Sequence, residues 1–567
     1  MKTRSTAIRV WGRVVLLLAA IVGLATVAEA QPLEDNATCL ACHGNAGFSV
    51  PTADGASRLL HVAGDRFEKS KHGPLPCIAC HQDITEIPHK EGVSRRVECG
   101  SCHAEQAQQY LTSVHGEQRA QGNVSAATCR SCHTAHEVQS PKSDSERIAI
   151  VERCGNCHKE NLSTYIDTYH GQVTTLGYGH TAKCFDCHSA HGIKRVSDPA
   201  STVHPNNRLQ TCQKCHAGAT AGFLTFKPHA NTHDFRRYPE MWITSKFMIA
   251  LLVGVFAFFW SHSVLWFYRE YTDRREGKSR PHVSTANLSG LENKQVRRFA
   301  PLWRLAHLLF AISVMTLVLT GMAVFYAETA WARHIMSLLG GPRVSAIIHR
   351  VAAVTMLSIF FLHLIAVGWR IWQKRKTFKW FGPTSLVPRW KDLTDAVNMF
   401  KWFFGKGPRP VFDRWTYWEK FDYWAVFWGM AIIGASGFLL WSPRVTGSVL
   451  PGWVLNVATL VHGEEAFLAA VFLFTVHFFN NHFRPDKLPP PDIVMFTGSV
   501  PIEEFKREHT LEYQRLVASG EFDKYLVDAP SRPMTIGSRI IGLVLISIGL
   551  ALLTLVVIGF VGSIRAG

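Results

Sequence analysis

The placement of the cysteines constrains this chain most, because all fourteen lie in seven C-x-x-C-H motifs. Two thiols at this spacing can each form a thioether with a haem vinyl group, and the adjacent His can bind the haem iron. A zinc half-site, a redox dithiol or a disulfide scaffold would not need a His after every pair. The motifs therefore predict seven haems c. Their residues are Cys39, Cys42 and His43; Cys77, Cys80 and His81; Cys99, Cys102 and His103; Cys129, Cys132 and His133; Cys154, Cys157 and His158; Cys184, Cys187 and His188; and Cys212, Cys215 and His216.

The motif region, residues 31–235, contains an internal repeat with an offset of 55 residues. The repeat indicates duplication of a two-haem module. Seven porphyrins in so short a region must form much of its core, with short helices carrying the motifs. The repeated positions are Cys99, Tyr110, His115, Cys129 and His136, which recur as Cys154, Tyr165, His170, Cys184 and His191.

Eleven of the eighteen His residues in this region lie outside the motifs, which is enough to give every iron a sixth ligand. A six-coordinate haem passes electrons but offers no open position for a substrate. The predicted distal ligands are His72, His89, His115, His136, His170, His191 and His229, and the spare His residues are His61, His180, His204 and His233.

The first thirty residues have the pattern of a secretory signal. A basic start is followed by the apolar stretch 14–27 and by Ala28-Glu29-Ala30, a cleavage-site pattern. An uncleaved anchor helix is the alternative. Either interpretation predicts that the motif region is exported.

Six segments in the second half are long and apolar enough to span a bilayer. They are 242–267, 303–326, 345–370, 421–441, 456–480 and 536–560. The connecting stretches 268–302 and 371–420 are rich in Lys and Arg, which predicts that they are cytoplasmic and that the motif region and the C-terminus are outside. The formal charge of +17 resides largely in such loops, so we do not expect a nucleic-acid partner.

These features, together with the His residues that lie inside the predicted spans, predict a mainly α protein of the bacterial inner membrane, with an exported, haem-packed multihaem cytochrome c domain and a six-helix transmembrane cytochrome b bundle. The expected organisation is a signal peptide at 1–30, a periplasmic domain at 31–235, a membrane domain at 236–482, a cytoplasmic segment at 483–535 that packs on the bundle, and a last helix with an outer C-terminus at 536–567. The cytoplasmic segment has no nucleotide, flavin or iron–sulfur motif.

Two of the predicted spans each carry two His residues, and a polar ring at that depth needs a partner. His349 and His363 lie in the third span, and His462 and His477 lie in the fifth. Spacings of 14 and 15 residues are near whole numbers of turns, so both rings of each span share one side. The pattern predicts two haems b, with His349 and His462 near the outer face and His363 and His477 near the inner one. His307, at the start of the second span, competes for the inner haem.

Part of the second half resembles the cytochrome b subunits of formate dehydrogenases and nickel–iron hydrogenases. The resemblance covers about 300–482 and rests on Arg304-Leu-Ala-His307, Thr320-Gly321 and Glu419-Lys-Phe-Asp-Tyr-Trp424. It implies that His349 and His462 bind the outer haem, that His307 and His477 bind the inner haem, and that His363 is spare.

The same family places quinone near the inner haem, beside the loop that enters the helix starting at Thr416. Family members often carry Asn-x-Gly-Gln-Lys there, whereas this chain keeps only the Lys, in Thr416-Tyr-Trp-Glu-Lys420. The resemblance thus implies a quinone site in which Glu419, Lys420 and Asp422 handle protons. The alternative is that these three are helix-start and interfacial charges.

A haem-rich head joined to a cytochrome b bundle is similar to the inner-membrane quinol dehydrogenases of metal-reducing bacteria. We therefore expect a quinone:cytochrome c oxidoreductase that connects the membrane quinone pool to a periplasmic redox protein or to other subunits of a respiratory complex, with the direction of electron flow open. The alternative is a multihaem enzyme that acts on a small nitrogen or sulfur oxyanion and uses the bundle as its quinone-reactive anchor.

Overall fold

The computed structural model of the protein describes residues 35–51, 55–89, 97–278, 291 and 293–566. The signal sequence predicted at 1–30 lies outside the described residues. The described residues divide into two compact units. One contains the residues up to Glu146 together with Ala190–Arg195, and the other contains Arg147–Ser189 and the residues from Val196 onward. The domain division at residue 235 stays a prediction.

The first unit consists of short helices joined by loops, with one antiparallel hairpin that pairs Val50 with Arg58. Its strands are β1 (Ser49–Pro51) and β2 (Ser57–Leu59). Its α-helices are α1 (Asn36–His43), α2 (Gly64–Glu68), α3 (Ala104–Leu111), α4 (Val114–Ala120) and α5 (Cys129–His133); α6 (Asp144–Gly155) begins at its end, and Cys77–Ala79 and Cys99–Ser101 are 3₁₀ turns.

The part of the second unit that precedes the long apolar helices also consists of short helices joined by loops. Its helices are α7 (Lys159–Ile166), α8 (Tyr169–Thr175), α9 (Cys184–His188), α10 (Arg208–Gln213) and the 3₁₀ turn Gly222–Thr225. Helices α5 and α9 each begin at the first Cys of a motif and end at its His, so the motif itself forms the helix.

The 55-residue repeat is also a repeat of local structure. The hydroxyl oxygen of Ser113 caps α4 by accepting from the Gly116 amide at 3.1 Å, and Thr168 caps α8 by accepting from the Gly171 amide at 3.2 Å. A Cβ added at Gly116 or Gly171 would lie 2.1 or 2.2 Å from a backbone oxygen, which requires glycine at both positions. The equivalent Tyr110 and Tyr165 each donate a 2.8 Å hydrogen bond to a carbonyl 17 residues later.

Six helices within the described residues are long and apolar enough to cross a membrane, as predicted. They extend beyond the predicted spans because helical hydrogen bonding continues into the polar flanks. Three of them begin with Pro in the first turn, where its missing N–H costs nothing. The six are α11 (Pro239–Arg275), α12 (Pro301–Phe325), α14 (Pro342–Gln373), α16 (Tyr417–Trp441), α18 (Trp453–Phe472, continued to Phe483) and α22 (Arg532–Ala566), and the shorter helices between them are α13 (Ala330–Leu338), α15 (Trp390–Phe403) and α17 (Pro443–Val449).

The continuation of α18 is a π-helix over Leu473–His477 and Phe479–Phe483. A π turn closes its hydrogen bond one residue later than an α turn. In a plain α-helix, 15 residues would carry His477 about 60° past the angular position of His462, whereas 14 residues would leave it about 40° short. The wider turn therefore returns His477 toward the face that carries His462.

The predicted cytoplasmic segment folds together with the loop that precedes α12. Strands β3 (Lys294–Arg297), β4 (Ser499–Pro501) and β5 (Leu526–Asp528) form an antiparallel sheet in the order β4-β3-β5. Val296 packs at its centre against Val500, Phe505 and Leu516. The short helices of the segment are α19 (Val494–Thr497), α20 (Ile502–Glu508) and α21 (Thr510–Ala518).

A buried ion-pair network holds this segment to the bundle. Glu512 forms ion pairs with Arg298 at 3.2 Å and with Arg414 at 2.9 Å. The side chains of Arg298 and Glu512 are almost completely buried. Arg484, just after α18, bonds to Glu508 at 2.7 Å. Each buried charge in this network therefore has an opposite charge within bonding distance, which buried charges require.

Candidate functional site

Six of the seven motif His residues lie opposite a predicted distal His. The distances between ring centroids fall between 6.0 and 6.4 Å. The pairs are His43 with His89 (6.1 Å), His81 with His136 (6.3 Å), His103 with His72 (6.1 Å), His133 with His191 (6.0 Å), His188 with His229 (6.4 Å) and His216 with His170 (6.0 Å).

This separation fits one iron between two imidazoles. Each bond from a transition metal to an imidazole nitrogen is about 2 Å long, and the ring radii bring the centroid distance to about 6 Å. Burial also lowers the pKa of several of these rings, so they stay in the neutral form that binds a metal. The rings with lowered pKa are His81, His136, His188, His191, His216 and His229, together with His170, whose pKa falls to about 4.

The pairing contains a regularity that the sequence did not reveal. His136 and His191 each lie three residues after a motif, and each pairs with the His of the motif two before that one, His81 and His133 respectively. His115 and His158 belong to different units, and their roles remain predictions.

The cysteines are arranged in the same two-motif modules. The leading thiols of consecutive motifs interact directly in three cases: Cys39 with Cys77, Cys99 with Cys129, and Cys154 with Cys184. All fourteen cysteines fall within the described residues and none forms a disulfide. No group of three or more His, Cys, Asp or Glu side chains that could hold a metal ion occurs in the described part of the chain. Haem iron takes most of its ligands from the porphyrin and needs only two from protein.

The membrane bundle contains a His pair with the same separation. The rings of His349 on α14 and His462 on α18 have centroids 6.3 Å apart. Nδ1 of His349 lies 2.8 Å from the hydroxyl oxygen of Thr320 on α12, and Nδ1 of His462 lies 3.1 Å from that of Ser436 on α16.

The hydroxyl groups decide which ring nitrogen carries the proton. Thr320 and Ser436 each donate their hydroxyl hydrogen to a backbone carbonyl one turn earlier, both at 2.7 Å. Each oxygen must then accept from the Nδ1–H of its His, which leaves Nε2 with a free lone pair. Hydrogen bonding of the second nitrogen is how proteins orient His ligands toward a metal.

A glycine follows each of these hydroxyl residues and gives the ring room. A Cβ at Gly321 would lie 3.4 Å from Cε1 of His349, and a Cβ at Gly437 would lie 3.0 Å from Cε1 of His462. The two helices that flank the pair thus present the same feature, a hydroxyl that orients the ring and a glycine that leaves space beside it.

His307 and His363, the two candidates for the inner haem ligand opposite His477, have different surroundings. The His307 ring lies close enough to His477 and His482 to interact with both electrostatically. His363 instead has its Nε2 3.0 Å from the Tyr423 hydroxyl and packs edge-on against Trp303. The structure therefore brings His307 toward His477 and gives His363 a different partner.

The three residues predicted at a quinone site have separate environments. Glu419 caps α16, with Oε2 accepting from the Thr416 amide at 2.8 Å. Lys420 is buried and forms a 2.8 Å ion pair with Asp392 on α15. Asp422 lies 3.2 Å from Nδ1 of His477. The helix-start alternative describes Glu419 well, while Asp422 contacts a predicted haem ligand.

Two acidic residues in the membrane helix α18 were not identified from the sequence. Glu464 and Glu465 follow His462 closely, and Glu465 is 2% exposed with Oε2 lacking a hydrogen bond partner among the described residues. Its carboxylate also interacts with Trp428 on α16. Adjacent acids inside an apolar span are a signal that the sequence does contain.

Comparison with known proteins agrees with the geometry of the bundle. Residues 298–483 match the model of a family described as prokaryotic cytochrome b561, and the match includes α12, α14, α16 and α18. Together with the six apolar helices it supports a multi-pass membrane protein with a cytochrome b bundle and membrane electron transfer involving a b-type haem. Searches of curated proteins and of solved structures gave no match.

Proposed function

We propose that this protein is a membrane quinone:cytochrome c-type oxidoreductase. Quinol is oxidised at a dihaem b bundle, and the electrons pass through seven haems c to a periplasmic acceptor, which is a redox protein or another subunit of a respiratory complex. The observation that carries the proposal is a single recurring distance. Six His pairs in the motif region and one in the bundle have centroids 6.0–6.4 Å apart.

The residues have distinct tasks in this proposal. Haem supplies one-electron chemistry at potentials that axial ligands and their surroundings set. The fourteen cysteines attach the haems c, and the motif His residues with their partners bind the iron. His349 and His462 hold one haem b near the outer face, and His307 and His477 hold the other near the inner face. His363, bonded to Tyr423, lines the inner region without binding iron.

Three observations support quinone as the partner of the bundle. The membrane helices give a lipid-soluble carrier direct access from the bilayer, and the cytoplasmic segment carries no motif for a redox cofactor of its own. Asp422 and Tyr423 place polar groups beside His477 and His363 at the inner end. We infer that the quinone head group binds at this end.

The test measures cofactors and electron entry on the purified full-length protein. A pyridine haemochrome assay should give seven haems c and two haems b, and a quinol should reduce both types in protein that does not bind CO. In His462→Ala, quinol should no longer reduce the haems c, whereas dithionite should still reduce them. Absence of haem b would refute the proposal, and CO binding by a wild-type haem c would favour an oxyanion reductase.

A further inference from the structure

We propose that Asp422 is a positioning residue for His477 and that its negative charge gives the inner haem b a lower reduction potential than the outer one. The inference rests on the proposed function, since it takes His477 as an iron ligand. It goes further by assigning a role to Asp422 and an order to the two potentials.

The first argument is the hydrogen bonding of His477. Oδ2 of Asp422 on α16 lies 3.2 Å from Nδ1 of His477 on α18. The side-chain nitrogen of Asn481 also lies 3.2 Å from Nδ1, but it donates to the His477 carbonyl at 2.8 Å. A carboxylate can only accept, so the proton resides on Nδ1 and Nε2 is left with its lone pair. Asp422 thus fixes the tautomer that an iron ligand needs.

The second argument is that the charge of Asp422 is poorly neutralised. Its side chain is 14% exposed, and its Oδ1 has no hydrogen bond partner within the described residues. The nearest cation in sequence, Lys420, forms its ion pair with Asp392. A charge that is largely shielded from water interacts strongly with a neighbouring ring, because the effective dielectric constant is low.

The third argument is the contrast with the outer pair. Nδ1 of His349 and Nδ1 of His462 are bonded to the neutral hydroxyls of Thr320 and Ser436. The acceptor of the Nδ1 proton is therefore a carboxylate at His477 and a neutral hydroxyl at His349 and His462. A carboxylate acceptor makes imidazole a stronger electron donor and stabilises the oxidised metal, which lowers the potential. Electron flow from the inner site to the outer one is then downhill.

The experiment is a potentiometric titration of the haem b absorbance in the full-length protein, with haem b content measured in parallel. His477→Ala identifies the inner component as the one that disappears, and this should be the lower of the two midpoints. Asp422→Asn keeps the shape and removes the charge. We expect it to raise the reduced-to-oxidised ratio of that component at least tenfold at a fixed potential, about 59 mV for one electron. Asp422→Glu should restore the wild-type titration.

Ser436→Ala is the control, because it acts on the outer ligand and should leave the lower component in place. If Asp422→Asn loses the inner haem while Asp422→Glu keeps it, the positioning role is supported by the haem content itself. An unchanged titration of Asp422→Asn, or loss of the higher component in His477→Ala, overturns the inference while the proposed function stands. A wild-type protein without haem b rejects the proposed function instead.

Discussion

The hydroxyl oxygen of Thr320 lies 2.8 Å from Nδ1 of His349, although the two residues belong to different membrane helices. Thr320 is 2% exposed, and its hydroxyl hydrogen is already donated to the Thr316 carbonyl. The oxygen can therefore only accept from the ring, and the contact fixes the orientation of a predicted iron ligand.

Replacing Thr320 by Val should weaken haem binding at the outer site without unfolding the bundle. Loss of the acceptor leaves a buried Nδ1–H unsatisfied, at a cost of about 1–3 kcal/mol, and loss of such outer contacts typically weakens metal binding roughly 10–100-fold. Haem b per haem c should fall in the purified variant. Thr316→Val, one turn away with its hydroxyl on the Ile312 carbonyl, is the matched control and should keep the wild-type ratio.

Glycine 437 offers a steric test of the same site. A Cβ there would lie 3.0 Å from Cε1 of His462, so Gly437→Ala should displace the ring and reduce haem b content. Gly429 lies on the same helix with nothing within 4 Å of its added Cβ, and Gly429→Ala should behave like wild type. Equal haem content in the two variants would argue against a haem at His462.

The choice between His307 and His363 can be made by counting haems. His307→Ala should remove one of the two haems b, because its ring lies near His477. His363→Phe should retain both, because His363 is bonded to Tyr423. Pyridine haemochrome ratios measure the outcome, and loss of a haem b in His363→Phe together with retention in His307→Ala would reverse the assignment.

The pairing of His188 with His229 predicts that a variant without His229 gains the ability to bind CO. Nδ1 of His229 lies 3.2 Å from the Thr164 hydroxyl, and its ring faces His188 at 6.4 Å. His229→Ala should open one coordination position, so the reduced variant should bind one CO that the wild type does not. His233 lies four residues later and is not a predicted haem ligand, so His233→Ala should bind no CO.

Substitutions of Lys420 can show whether this residue stabilises the fold through its ion pair with Asp392 or takes part in quinone binding. Removing Lys420 takes the cation away from the buried Asp392 carboxylate, which keeps the 2.6 Å hydrogen bond from the Arg389 amide, so Lys420→Met should destabilise the protein by about 3–5 kcal/mol. The double variant Lys420→Met/Asp392→Asn should recover most of that loss. Lys391→Met breaks the more exposed pair with Asp395 and should cost about 0–1 kcal/mol.

The measurement for these variants is thermal loss of the haem b absorbance, together with the KM for quinol. A structural role predicts that the double variant regains stability and keeps the wild-type KM. A raised KM in the double variant would return Lys420 to the quinone site.

The large features of the fold could be predicted because they depend on composition over long windows. All six spans were located, since about twenty apolar residues are hard to confuse with anything else. The sheet that joins Lys294–Arg297 to Ser499–Pro501 and Leu526–Asp528 was not predicted, because strands of three or four residues carry too little periodicity.

The candidate site was predictable in its residue types more than in its pairings. A C-x-x-C-H motif specifies its own His, but the partner is chosen by tertiary folding, and so the match of His136 with His81 could not be found from spacing. Helical phase favoured His363 for the inner haem and the family resemblance favoured His307, and the structure separates them by placing His307 near His477 and bonding His363 to Tyr423. The pattern of His residues does not identify Glu465, although an acid in an apolar span is a clear signal.

The π-helix between His462 and His477 separates two quantities that are usually treated as one, the number of residues between two side chains and their angle about the helix axis. This chain uses 15 residues where an uninterrupted α-helix would need 14 for a similar angle. A fixed spacing is therefore not a dependable signature of this His pair. Two chains whose spacings differ by one residue can present the same pair of rings, and a search that requires equal spacing would class them as unrelated.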